Sequence, residues 1–79
     1  MKRLKTNGRR WAVLNYIVSE PGEWTCRKIA NDREDSFHSV TEAAIFLTQN
    51  GFVEKGEKEG RSHTLIPTKA GIDLLYNSL

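Results

Sequence analysis

Apolar positions along the chain fall into short groups whose spacing predicts a run of helices broken by one hairpin. Trp11, Leu14, Ile17 and Val18 recur at i, i+3, i+6 and i+7, the one-sided stripe of an amphipathic helix. Val13 widens that stripe, while Ala12, Asn15 and Ser19 fall on the opposite side. Thr6 or Asn7 is placed to cap this helix, and Glu20-Pro21-Gly22 to stop it. Thr25 is the N-cap candidate of a short second helix reaching about Asn31, with Cys26, Ile29 and Ala30 inward and Arg27 and Lys28 outward. The polar stretch from Asn31 to Asp35 reads as a turn. Ser36 then caps a third helix to about Asn50, with Val40, Ala43, Ala44 and Leu47 on its inner face. Gly51 sits where a left-handed C-terminal stop is needed.

The period then changes from helical to alternating. Phe52 to Lys55 reads as a strand, Gly56 to Gly60 as a glycine-bounded loop, and Arg61 to Pro67 as the returning strand. Alternation turns either Leu65 or Ile66 inward without deciding which. Pro67 lacks an amide hydrogen and suits the end of an edge strand. Thr68 caps a last helix with Ile72, Leu75 and Leu79 as its apolar face and Leu74 beside them. The expected class is mostly α with a small antiparallel hairpin, in the order helix, helix, helix, hairpin, helix.

Composition narrows the function classes. Seventy-nine residues make one domain, with 38% hydrophobic and 28% charged residues, the balance of an ordinary globular chain. No apolar run approaches membrane-spanning length, and no apolar stretch follows the N-terminal lysines and arginines before Trp11, so neither a membrane span nor a signal peptide is expected. With the lone Cys26 this suggests a cytoplasmic protein. The net charge of +2 is unevenly spread: Lys2, Arg3, Lys5, Arg9 and Arg10 fall in the first ten residues with no acid among them. The remainder carries seven basic and ten acidic residues. A basic arm, about residues 1–6 and extended by Arg9 and Arg10, suits a phosphate backbone and equally serves as a solubilising tail.

Two short helices joined by a turn, followed by a glycine-tipped hairpin, are the layout of a winged helix-turn-helix. From Gly22 to Leu75 the chain resembles the small winged-helix regulators of the MarR and PadR type. The matching residues are Trp24-Thr25 with Ile29-Ala30, then Val40, Ala44, Leu47 and Asn50-Gly51-Phe52-Val53, Arg61 after the wing, and Leu65 through Thr68-Lys69-Ala70-Gly71. The resemblance implies one winged-helix domain over residues 1–79 that binds double-stranded DNA and regulates transcription. It also implies a third helix in the major groove and a wing against the adjoining backbone. Family members often dimerise through terminal helices, and Leu74, Tyr76 and Leu79 are placed to extend the last helix into a homodimer contact.

On that layout the candidate DNA-binding residues are Arg27 and Lys28 on the second helix, Ser36, His38, Ser39, Thr41 and Glu42 on the third, and Lys58 and Arg61 on the wing. Ser39, Thr41 and Gln49 suit base or phosphate contacts, His38 a phosphate, and Glu42 a cytosine amino group. Arg61 matches the arginine such families place at the wing's return, and a hairpin salt bridge to Glu57 or Glu59 is its plain alternative. From Ser36 to Asn50 there is no lysine or arginine, so the arginine–guanine pairing is not available to the third helix. Phe46 is expected to pack against the first or last helix; Ile45 and Phe46, if both are exposed, form an apolar patch for a protein partner, which gives a second reading, a protein-interaction module. Cys26 reads as core packing. Cys26, His38 and His63 have no metal-ligand spacing, and no nucleophile–base pair or phosphate-cradling loop is present, so neither an enzyme nor a cofactor is expected.

Overall fold

The computed structural model describes residues 8–20 and 22–77. Their order is α1 (Arg9–Ser19), α2 (Cys26–Arg33), α3 (Phe37–Gln49), β1 (Val53–Glu59), β2 (Ser62–Pro67) and α4 (Lys69–Asn77). This is the winged-helix layout expected from the pattern of the chain. The core joins every element: Val13, Leu14 and Ile17 of α1, Ile29 of α2, Val40 and Leu47 of α3, Val53 and Leu65 of the hairpin, and Leu74 and Leu75 of α4.

Helix ends set the bounds of the elements. The α3 helix starts at Ser36, whose Oγ accepts from the Ser39 amide. It ends with Gly51 at φ +75°, the Gly51 amide donating to Thr48 O and the Phe52 amide to Leu47 O. That is a Schellman motif, in which the left-handed residue lets two orphan carbonyls be satisfied. The α2 helix closes the same way, with the Asp35 amide donating to Ala30 O and Glu34 to Asn31 O, but the left-handed residue is Glu34 at φ 58°. A non-glycine there is strained and leaves no mark in the sequence. The helix consequently runs to Arg33, two residues past the expected stop, and only Glu34 to Ser36 form the turn. At the other end of the chain Gly8, not Thr6 or Asn7, occupies the N-cap of α1; Thr6 and Asn7, with Lys2, Arg3 and Lys5, lie outside the described residues, as do Pro21 and Leu79.

The hairpin differs most from expectation. Instead of a five-residue loop from Gly56 to Gly60, β1 continues to Glu59 and only Gly60 and Arg61 turn the chain. Gly60 has φ +64° while Arg61 does not enter the positive region, the pattern of a type II′ hairpin turn. Gly56 lies inside the strand at a bulge: Lys55 pairs with Leu65 and Lys58 with His63, so Gly56 and Glu57 together face Thr64. A side chain at Gly56 would strike the Thr64 hydroxyl and the Ile66 side chain, which is why glycine stands there. Leu65 is the inward residue and Ile66 is 44% exposed. The Leu65 amide also donates to Trp24 O at 2.7 Å, so Trp24 adds a one-residue third strand that pins the start of α2 to the wing.

The inward face of α4 keeps the expected Leu75 but is rotated toward Leu74 and away from Ile72. Gly71, Leu74 and Leu75 are buried and Ile72 only partly so. Leu74 therefore belongs to the core of this chain and is not free for a contact between copies, whereas Tyr76 is 64% exposed. Among the described residues, no helix is long and apolar enough to cross a membrane.

Candidate nucleic-acid interface

Because Trp24 pairs antiparallel with Leu65, the chain leaving Trp24 into α2 runs beside the chain coming back from the wing tip. That crossing brings Arg27 and Lys28 next to Arg61. All three line one groove of about 440 Å³ between the first turn of α2 and the tip of the hairpin, together with the acid Glu59 and the polar Thr25, Asn31 and Ser62. The Thr25 Oγ1 accepts from the Lys28 amide and so caps the helix at the groove's edge.

Each cation is held differently. The Arg27 guanidinium lies 4.7 Å above the Phe37 ring, a cation–π contact on an exposed side chain. Lys28 Nζ is 2.7 Å from Glu59 Oε1, linking α2 to the wing. Arg61, at the turn itself, is exposed and makes no ion pair among the described residues. Glu59, offered in the sequence as a partner for Arg61, pairs with Lys28 instead. Lys58 does not line the groove: it neighbours Glu59 on β1, and strand alternation places it on the other face.

The Lys28–Glu59 pair is close to half-exposed on both sides, so it contributes little to stability. Its effect on an incoming anion is larger, since the carboxylate already occupies the lysine. Glu59→Gln is therefore expected to tighten binding of a polyanion by several-fold at low salt with folding unchanged, a comparison made by titration of both proteins at one ionic strength.

The third helix presents its residues unevenly. His38, Glu42, Ile45 and Gln49 are exposed, and His38 Nε2 is 3.2 Å from Glu42 Oε1. Ser36 is exposed with its hydroxyl already engaged in the cap. Ser39 and Thr41 are half-buried, and the Thr41 Oγ1 atom is sealed from solvent beside Cys26, so the expectation that this hydroxyl reads bases does not hold. Burial pushes the Cys26 thiol up, and the Thr41 hydroxyl opposes that shift. A raised thiol on the flank of the core matches the packing role expected for it.

Ile45 and Phe46 do not form one patch, and Phe46 packs inward as its expected place against a neighbouring helix implies. Phe46 is partly buried against the core with the Arg10 guanidinium 3.8 Å above its ring. Ile45 is 50% exposed at the lip of a second cleft, about 380 Å³, between α3 and the wing. Arg9 and Arg10, grouped with the arm in the sequence reading, belong to the first turn of α1. Among the described residues no three His, Cys, Asp or Glu side chains come together as a metal site. The non-local features, Glu59 on Lys28 and Phe37 beneath Arg27, had no signal in the sequence; the His38–Glu42 spacing of four did. Comparison with protein-family models, curated proteins and solved structures gave no match to this chain.

Proposed function

We propose that this protein binds double-stranded DNA and acts as a transcriptional regulator, the α2–wing groove gripping the phosphate backbone while α3 lies in the major groove. The observation that carries this reading is the convergence of Arg27, Lys28 and Arg61 from two distant segments onto one groove. Three cations gathered at a helix start and a hairpin tip, with Glu59 the one acid among them, offer a duplex backbone a net positive surface. Lys2, Arg3 and Lys5 add further counterion release from the arm. The reading makes the protein a binding module, not a catalyst, and places it with the DNA in the cytoplasm.

A salt titration against a generic duplex, followed by amide chemical shifts, tests the reading. Shifts are expected at Arg27, Lys28, Arg61 and the exposed side of α3, with affinity falling steeply as salt rises. Absence of any shift at low salt would sink it.

One observation favours a second reading, a protein-interaction module. Ile45 stands half-exposed over a cleft also lined by Cys26, Ala44 and Leu65, a place for an apolar anchor from a partner. Deleting the arm separates the two: DNA affinity depends on it, whereas anchoring at Ile45 does not.

A further inference from the structure

Beyond Phe37 in the first turn, the exposed residues of α3 form a single stripe. His38, Glu42, Ile45 and Gln49 recur at i, i+4, i+7 and i+11, within an arc of about 60° at roughly 100° per residue. The stripe lies directly opposite the fully buried Val40 and Leu47. Ser39 and Thr41 flank it on either side and are turned partly inward.

The chemistry of the stripe is unusual for a helix meeting DNA, because it holds the carboxylate of Glu42 and no lysine or arginine. A carboxylate in the major groove is repelled by phosphates and by every acceptor on a base edge. Guanine offers only acceptors there, O6 and N7, and thymine offers O4. Adenine sets an amino donor beside an acceptor, and cytosine presents its N4 amino group alone. Glu42 thus selects largely by exclusion, and cytosine is the edge that meets it with least conflict. The His38 ring lies 3.2 Å from one carboxylate oxygen, and the Glu42 side chain remains largely exposed. Ile45, 50% exposed, has no polar atom and complements the one apolar group of the major groove, the thymine methyl. Three residues of helix rise about 4.5 Å, close to one base step of about 3.4 Å, so Glu42 and Ile45 face neighbouring base pairs.

We infer that α3 reads duplexes in which a cytosine amino group lies next to a thymine methyl, with Glu42 and Ile45 as the specificity-determining residues. Gln49, further along the same stripe, suits an adenine edge. This inference rests on the DNA-binding reading above and adds the sequence class to it. Specificity then comes from acceptor and apolar contacts, and affinity from the separate cationic groove, so the two respond differently to salt.

The experiment is selection of bound duplexes from a randomised pool by the full chain, followed by replacement of single groups in the winning site. A recurrent cytosine–thymine step is expected. Deoxyuracil in place of that thymine removes one methyl and should weaken binding about fourfold. The same replacement should do nothing to Ile45→Ala. Changing the cytosine should cost roughly fivefold to a hundredfold in the native chain and far less in Glu42→Gln. The deoxyuracil arm alters only the DNA, so it holds even where a variant folds poorly. Salt-sensitive binding with no preferred step, or with a preference for guanine runs, overturns the inference and leaves DNA binding standing. Failure to bind any duplex at low salt overturns both.

Discussion

Gly71→Ala is expected to lower stability by about 2 kcal/mol and the unfolding midpoint by roughly 10–15 °C. In an exposed helix the same change is favourable by up to about 1 kcal/mol, because alanine restricts the unfolded chain and favours the helix. Gly71 is different: it is buried in the first turn of α4, and a Cβ there would collide with the Phe52 carbonyl oxygen. That oxygen already accepts from the Thr68 amide at 3.1 Å, while Thr68 Oγ1 caps the helix through the Gly71 amide and donates to Gly51 O. The obstacle is backbone held on both sides of the Gly51–Phe52 turn, so it cannot rotate away as a side chain would. Relief requires shifting α4 off α1 and β2, which the core resists. Thermal and urea unfolding of the two proteins decide the matter. A variant as stable as the native chain would mean that α4 is not seated on Phe52.

The second large effect is on binding. Replacing Arg27, Lys28 and Arg61 together by alanine should cut duplex affinity by two to three orders of magnitude near 0.1 M salt. It should also flatten the log–log salt dependence by up to about three contacts' worth. The estimate follows from counterion release, which contributes about 0.9 log unit per neutralised phosphate per tenfold change in salt. Little stability should be lost, since the three side chains are exposed and the single ion pair among them is a surface one. Lys69→Ala removes the same kind of charge from the start of α4, outside the groove, and should change affinity much less. An unchanged salt slope in the triple variant would show that the groove does not hold phosphate.

Gly51 and Gly56 show how unevenly the chain declares its structure. Gly51 announced a helix stop, and the stop is there, because a left-handed residue at that position is a local need that glycine meets without strain. Gly56 looked like the near edge of a loop and is a bulge within a strand, since its reason is the Thr64 side chain across the hairpin. Glu34 gave no warning at all, because tertiary packing tolerates a strained left-handed residue that no local rule predicts.

The candidate site divides along the same line. Arg27, Lys28 and Arg61 were each legible as exposed cations, and His38 with Glu42 as a spacing of one helical turn. Their grouping was not, because Arg61 reaches α2 only through the Trp24–Leu65 bridge and Glu59 reaches Lys28 only across the same crossing. Thr41 looked outward by periodicity and has its hydroxyl buried beside Cys26. Apolar spacing, caps and glycine stops determined by themselves that this chain makes three helices, a hairpin and a fourth helix, since those signals act within a few residues. Which face of α4 turns inward, where the wing bends, and which charges meet were decided only by the tertiary structure. Those outcomes depend on contacts between segments far apart in the chain, whose geometry no local pattern contains.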